Sequence, residues 1–116
     1  MVLTRDFRET IQARAKKDPA YRKAMLTEAV DRFLSGDVDV GKALLRDYIK
    51  ATVGFETLSR QINKPSKSLH RMLSPSGNPG THNFFEILTC LQNNEGLELV
   101  VTARHLSDTG LRGTSL

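Results

Sequence analysis

Four polar side chains that could bind a polyanion lie within residues 66–71 of the sequence, namely Ser66, Lys67, His70 and Arg71. All of them can donate hydrogen bonds, and the lysine and the arginine carry a positive charge. On a helix, Lys67 and Arg71 share one face and Ser66 and His70 share the neighbouring face, because residues four apart lie above one another. This pattern is suited to contact with the base edges and phosphates of nucleic acid.

Two short helices would have to position these side chains, and the apolar spacing of residues 55–73 predicts them. The apolar residues that would lock both helices onto one core are Leu58 and Ile62 on the first helix and Leu69, Met72 and Leu73 on the second. Between them, Ser59 is small, Asn63 can adopt the left-handed conformation of a tight turn, and Pro65 suits the first position of a helix. The stretch therefore predicts a helix-turn-helix, the unit that lays one helix in the major groove of DNA.

Positive charge is concentrated around this predicted motif. Between residues 55 and 80 the net charge is +3, because Arg60, Lys64, Lys67 and Arg71 are opposed only by Glu56. Between residues 81 and 116 the net charge is −2, since two arginines are opposed by four carboxylates. A DNA-binding surface is expected to concentrate positive charge in this way, and we therefore add Lys64 to the predicted DNA contacts. The alternative is a basic helix face that is simply solvated.

A second set of contacts is expected where the chain resumes after the motif. Residues 74–80, Ser-Pro-Ser-Gly-Asn-Pro-Gly, cannot continue a helix and predict a loop. Thr81 is placed to cap the helix that follows. We expect this helix start to clamp the phosphate backbone, because Thr81, Asn83 and free backbone amides at a helix N-terminus form an anion site.

The whole chain has the composition of one folded, mildly basic domain. Its 116 residues carry a net charge of +4, with 39% hydrophobic and 26% charged residues. One cysteine, Cys90, excludes an internal disulfide. No window approaches the roughly 18 apolar residues of a membrane span. Charges between Arg5 and Glu9 interrupt any signal-peptide pattern, so we expect a cytoplasmic protein without a membrane contact.

The hydrophobic periodicity predicts a mainly α fold, a helical bundle that contains the helix-turn-helix and ends in one β-strand. Asp18 and Pro19 are the strongest helix-start signal outside the motif, as an N-cap followed by proline at the first helical position. The expected segments are N-terminal helices (1–36), the helix-turn-helix domain (37–96), a strand (97–104) and a flexible tail (105–116).

The predicted strand, Leu-Glu-Leu-Val-Val-Thr-Ala-Arg, would need a hydrogen-bonding partner, because a single strand leaves its backbone groups unpaired. Pairing with a second copy would give a two-fold homodimer, with Leu97, Leu99, Val101 and Ala103 on the buried face of the interface. The alternative is an extended segment that lies on the core of its own chain.

No catalytic or metal-binding constellation is evident. The three histidines, His70, His82 and His105, lack a second ligand at zinc-site spacing, and Cys90 reads as a buried structural thiol on an apolar helix face. Gly77 and the glycine at position 80 are not followed by the lysine of a phosphate-binding loop. We therefore expect no enzyme activity, no cofactor and no metal ion.

Residues 64–79, Lys-Pro-Ser-Lys-Ser-Leu-His-Arg-Met-Leu-Ser-Pro-Ser-Gly-Asn-Pro, supported upstream by Leu-Arg-Asp-Tyr-Ile at 45–49, resemble a family of small bacterial antidote proteins. These are the antitoxins of addiction modules, lambda-repressor-like helix-turn-helix regulators, and the resemblance covers about half the chain, from 45 to 104. It implies a dimer that binds operator DNA, represses its own operon and forms a complex with a cognate toxin, commonly an mRNA interferase.

Other functions stay open beside this one. The chain could be a solitary, phage-like regulator without a toxin, or a protein-interaction module that neutralises a toxin and binds little DNA. RNA binding is less favoured, because the only aromatic residue of the motif, Phe55, begins its first helix and forms no stacking platform.

Overall fold

A computed structural model describes residues 5–106, and this part of the chain is mainly helical, as predicted. Its helices are α1 (Arg5–Lys17), α2 (Pro19–Leu34), α3 (Val38–Ala51), α4 (Phe55–Ile62), α5 (Ser66–Met72) and α6 (Thr81–Glu95). In the part of the chain that the structure describes, no helix combines the length and the apolar composition required to cross a bilayer.

One hydrophobic core joins all of these helices. The fully buried side chains come from α1 (Ala15), α2 (Leu26, Ala29), α3 (Leu45, Ile49), α4 (Leu58), α5 (Leu69) and α6 (Ile87). The helices within residues 1–36 therefore share their core with those of residues 37–96. Helix α3 packs against both α1 and α2, and α4 packs against both α5 and α6.

The start of α2 confirms the capping prediction. The carboxylate of Asp18 accepts hydrogen bonds from the backbone amides of Ala20 and Tyr21, at 3.1 and 3.2 Å. Pro19 occupies the first helical position, where a missing N–H group costs nothing. These contacts fix the angle at which the chain turns from α1 into α2.

A partly buried ion pair connects the N-terminal helices to α6. The guanidinium of Arg22 lies 3.0 Å from Glu95 and also donates to the carbonyl of Ala15 at 2.9 Å. Tyr48 of α3 donates its hydroxyl to the same carboxylate at 3.2 Å. Burial raises the pKa of Tyr48 well above its usual range, and the negative charge of Glu95 raises it further.

The C-terminal segment differs from its prediction, because residues 5–106 contain no β-strand and residues 97–105 are irregular. The side chain and the carbonyl of Gln92 accept hydrogen bonds from the amides of Leu99 and Leu97, at 2.8 and 3.0 Å. Both leucines pack partly buried against the helical core. The alternative of a segment lying on the core therefore describes the first residues of this stretch, whereas Val100 and Val101 are 74% and 70% exposed.

The β-branched composition of residues 97–104 does not produce a strand, because the amides of Leu97 and Leu99 donate to acceptors on α6. Of the predicted dimer face, Leu97 and Leu99 are turned to the core of their own chain, and Val101 and Ala103 are exposed. Most of the predicted tail, residues 107–116, lies outside the described residues.

Candidate nucleic-acid interface

Helices α4 and α5 are joined by the three residues 63–65, in the conformation that the sequence suggests. Asn63 has a φ of 54° and is left-handed, as predicted. The amide of Lys64 donates to the carbonyl of Ser59 at 3.1 Å, and the Ser59 hydroxyl donates to the carbonyl of Lys64. Pro65 precedes the first helical residue rather than occupying it, so α5 begins one residue later than predicted.

The predicted apolar residues hold the two helices on the core. Leu58, Leu69 and Leu73 are fully buried, Ile62 is nearly so, and Met72 is partly buried against the same cluster. A short helix has little stability by itself, so this packing is what orients α5.

The opposite side of α5 is open to solvent. Lys67, His70 and Arg71 are exposed, and Ser66 is half-buried at the helix start. Within residues 5–106, neither Lys67 nor Arg71 forms an ion pair. Two cationic side chains four residues apart are therefore available to an anionic ligand on this face.

The imidazole of His70 is held by a ring contact that sequence reasoning missed. It stacks on Phe55, the first residue of α4, with ring centroids 3.9 Å apart and planes inclined by 21°. Phe55 is itself buried, so it gives the exposed histidine a fixed support. The order of aromatic residues along the chain carries no signal for this contact, which depends on how α4 and α5 pack.

Lys64 is placed differently from the other predicted contacts. Its ammonium lies 3.3 Å from Oε1 of Glu86 on α6, and both side chains are partly buried. That oxygen is buried and accepts no hydrogen bond within the described residues. The charge of Lys64 is thus largely balanced inside the protein.

A buried lysine from α3 fixes the loop that follows α5. Lys42 is 2% exposed, and its ammonium donates to the carbonyls of Gly77 at 2.7 Å, Ser74 at 3.0 Å and Pro75 at 3.4 Å. Arg46, one turn further along α3, donates to the carbonyl of Leu73. Arg46 thus satisfies the carbonyl of the C-cap residue of α5, where a helix leaves acceptors without an internal partner, and Lys42 satisfies carbonyls of the loop beyond it.

The loop 74–80 also packs closely against the last turn of α5. The Ser74 hydroxyl donates to the carbonyl of Arg71 at 2.8 Å, and a Cβ atom added at Gly77 would lie 1.8 Å from that same oxygen. Gly77 is therefore required for a close backbone approach. The sequence identified this stretch as a loop but gave no indication that α3 anchors it.

The start of α6 is open, although its cap is not the one predicted. Gly80 occupies the N-cap position, and Thr81 is the first helical residue. No side chain caps this terminus, and within residues 5–106 the amides of Thr81, His82 and Asn83 form no hydrogen bonds. Thr81 is exposed and Asn83 is half-buried. The predicted phosphate contacts thus lie beside amides that can donate to an anion.

Cys90 lies in a polar groove between α4 and α6 rather than in the core. Its sulfur contacts the side-chain oxygen of Gln61 at 3.0 Å, and Asn94 donates to that oxygen at 2.7 Å. Desolvation raises the pKa of this half-buried thiol above its ordinary value. Among the described residues, no group of three or more His, Cys, Asp or Glu side chains could hold a metal ion.

Helix α5 thus offers two exposed cations, and the start of α6 offers uncapped backbone amides. Comparisons of the chain with protein-family models, with curated proteins and with solved structures find no match. Its function must therefore be inferred from this geometry and from the chemistry of the side chains.

Proposed function

We propose that the chain is a sequence-specific, duplex-DNA-binding transcriptional regulator. In this proposal α4 and α5 form a helix-turn-helix of the lambda-repressor-like kind, and α5 enters the major groove. The observation that carries the proposal is the exposed face of α5, where Lys67, His70 and Arg71 form no ion pair with any carboxylate described within residues 5–106. The buried apolar residues behind them fix the direction in which this face points.

The side chains divide into base contacts and phosphate contacts. Arg71 offers the forked guanidinium that recognises a guanine edge, and Lys67 offers a point charge for phosphate. His70, supported by Phe55, and Ser66 would contact the neighbouring positions. The open amides near Thr81 and Asn83 suit a phosphate of the same strand, which would set the depth of α5 in the groove.

Lys64 has a smaller role in this proposal than the sequence suggested. Its ion pair with Glu86 would have to open before its ammonium could contact phosphate. The pair places one charge at the junction between α5 and α6, so it supports the geometry of the surface rather than adding an available cation.

We propose a homodimer as the working unit, because one recognition helix spans only a half-site. Val101 and Ala103 are exposed and form the available part of the predicted interface, since the leucines at 97 and 99 contact their own core. Val101→Asp should place a charge in this contact and give a monomer by light scattering. A dimer that persists in this variant, with unchanged DNA affinity, would move the interface elsewhere.

The antitoxin role is a proposal that the residues at 64–79 support by resemblance alone. An operon with a cognate toxin, such as an mRNA interferase, would make this chain the repressor of that operon and the partner of its product. A solitary regulator would show the same DNA chemistry without the partner. The adjacent reading frame separates the two, because an antitoxin requires a toxin gene beside it.

DNA binding is tested by gel shift and by fluorescence anisotropy with duplex fragments from upstream of the gene. Arg71→Ala should cost about 1–3 kcal/mol and relax preference at one base position, whereas Lys67→Ala should weaken binding to all sequences and reduce the salt slope by about one. The matched control is Lys23→Ala, which removes an exposed cation from α2.

Two outcomes would refute the proposal. If the Lys67→Ala, Arg71→Ala double variant binds duplex as tightly as the wild type, α5 is not the recognition helix. If the wild type prefers single-stranded RNA over every duplex tested, the helix-turn-helix interpretation is wrong as a whole.

A further inference from the structure

A surface of opposite character lies where α2 ends and α3 begins. Residues 28–40 carry a net charge of −3, with Glu28, Asp31, Asp37 and Asp39 against Arg32, in a chain whose total is +4. Large apolar side chains are exposed among these carboxylates: Leu34 is 56% exposed, and Val38 and Val40 are 41% exposed. Exposed apolar groups rimmed by charge commonly mark a protein interface.

This apolar surface continues onto α6 through a small depression. The depression has a volume of about 230 Å³, and its lining includes Phe33, Val38, Pro79, Phe84 and Phe85. Its aromatic wall is built from successive edge contacts, with ring centroids 4.8 Å apart for Phe33 and Phe84 and 5.4 Å apart for Phe84 and Phe85. Phe85 ends this series 58% exposed. We refer to residues 28–40 together with Phe85 as the acidic face.

Most carboxylates of the acidic face remain available to a partner. Glu28 is paired with Arg32 at 2.8 Å, but within residues 5–106 Asp31 and Asp37 form no ion pair. Asp39 is 3.8 Å from the ammonium of Lys42, whose shorter contacts are with the loop carbonyls. Within residues 5–106, Asp31 and Asp37 thus have no cation partner, and Asp39 has only its 3.8 Å contact with Lys42.

We propose that the acidic face docks a basic protein, with an apolar side chain of that partner in the depression and its cations opposite Asp31, Asp37 and Asp39. Nucleic acid would be repelled by this surface. A second copy facing it across a two-fold axis would place three negative charges against three others. The depression is also smaller than the roughly 300–1,000 Å³ of ordinary small-molecule sites.

This inference rests on the antitoxin part of the proposed function, because a short basic toxin is the partner that such a face fits. The probe is the protein encoded by the reading frame next to this chain's own, co-expressed with the full chain. Affinity is measured by titration calorimetry at low and at high salt. Duplex binding by the same samples is measured in parallel.

Two sets of variants separate the apolar and the electrostatic contributions. Leu34→Ser with Phe85→Ser should weaken the complex at least about tenfold, since apolar anchors at the centre of an interface dominate its affinity. The triple variant Asp31→Asn, Asp37→Asn, Asp39→Asn should weaken it several-fold at low salt and flatten its salt dependence. Asn preserves the helix-start preference at position 37.

The matched controls remove similar groups from other surfaces. Phe7→Ser takes a half-exposed ring from α1, and Glu98→Gln takes an exposed charge from the C-terminal segment. Both controls should bind the partner as the wild type does. The Leu34→Ser, Phe85→Ser variant and the Phe7→Ser control should keep wild-type duplex affinity, because none of these residues is a proposed DNA contact. The variants that remove carboxylates should bind duplex at least as tightly as the wild type, because they remove negative charge.

Three results would overturn the inference. One is the absence of any complex with the co-expressed protein, and another is a complex that both sets of variants leave unchanged. The third is a change from dimer to monomer in the Leu34→Ser, Phe85→Ser variant, which would make the face a contact between copies. If duplex binding persists in these cases, the DNA proposal stands. If the wild type itself binds no duplex, the DNA proposal fails independently of the acidic face.

Discussion

Replacing Lys42 by methionine tests whether one buried side chain holds the proposed DNA surface together. Methionine has similar length and suits a buried position, but it cannot donate to the carbonyls of Ser74, Pro75 and Gly77. Lys42→Met therefore removes the link between α3 and the loop at 74–80 while leaving the helical core filled. The perturbation acts on the loop rather than on the apolar packing.

The cost follows from the contacts. Two of the hydrogen bonds are short, at 2.7 and 3.0 Å, and a bond from a charged donor contributes about 1.5–3 kcal/mol. Losing both bonds would lower the free energy of unfolding by about 3–6 kcal/mol. Part of this loss is offset, because the methionine variant no longer has to desolvate an ammonium group. We expect a net loss of about 2–4 kcal/mol in the free energy of unfolding.

Urea denaturation measures this loss as a lower midpoint at unchanged slope. Asp39→Ala is the control: it removes the carboxylate that lies 3.8 Å from the same ammonium and is 86% exposed, so its effect should stay within about 0.5 kcal/mol. Operator affinity should fall for Lys42→Met without a change in salt slope, because no phosphate contact is lost. If the free energy of unfolding of Lys42→Met lies within about 0.5 kcal/mol of the wild-type value, the loop does not depend on Lys42.

Three further predictions follow from particular contacts. Gly77→Ala should lower the free energy of unfolding, measured by thermal denaturation, by about 2–4 kcal/mol, because its Cβ would lie 1.8 Å from the Arg71 carbonyl oxygen. Gly80→Ala is the control and should lower it by about 1 kcal/mol or less, because the space at Gly80 is open. In the folded state Tyr48 keeps its proton at pH values above the usual tyrosine pKa of about 10, whereas the unfolded state loses it. The free energy of unfolding of the wild type should therefore fall as the pH rises past about 10. A Tyr48→Phe variant whose stability falls with the same slope at alkaline pH would refute this. Glu86→Gln should release Lys64 and raise duplex affinity and the salt slope in anisotropy titrations, and an unchanged slope would mean that Lys64 stays away from phosphate.

The local parts of this fold could be predicted because their causes lie within a few residues. The cap at Asp18, the left-handed Asn63 and the apolar spacing around Leu58 and Leu69 each depend on neighbouring positions, and the structure confirms each of them. The mainly helical class follows from the same periodicity. The start of α5 was misplaced by a single residue, at Pro65.

The missed features depend on contacts between distant residues. Nothing in the sequence around Lys42 shows that carbonyls more than thirty residues away will surround its ammonium. The pairing of Lys64 with Glu86 and the stack of His70 on Phe55 arise only after the helices pack. The strand prediction was wrong for the same reason, since Gln92 supplies the acceptors for the amides of Leu97 and Leu99.

Residues 77–81 connect the two proposed surfaces of the molecule. The carbonyl of Gly77 is held by Lys42, and Pro79 and Thr81 line the depression of the acidic face. Thr81 is also a proposed phosphate contact. A protein seated in the depression would therefore contact a residue that DNA also needs, and each ligand would change the affinity of the other by the same factor. Because Lys42 restrains the loop at its start, this coupling would act through contact at Thr81 rather than through a large movement of α5.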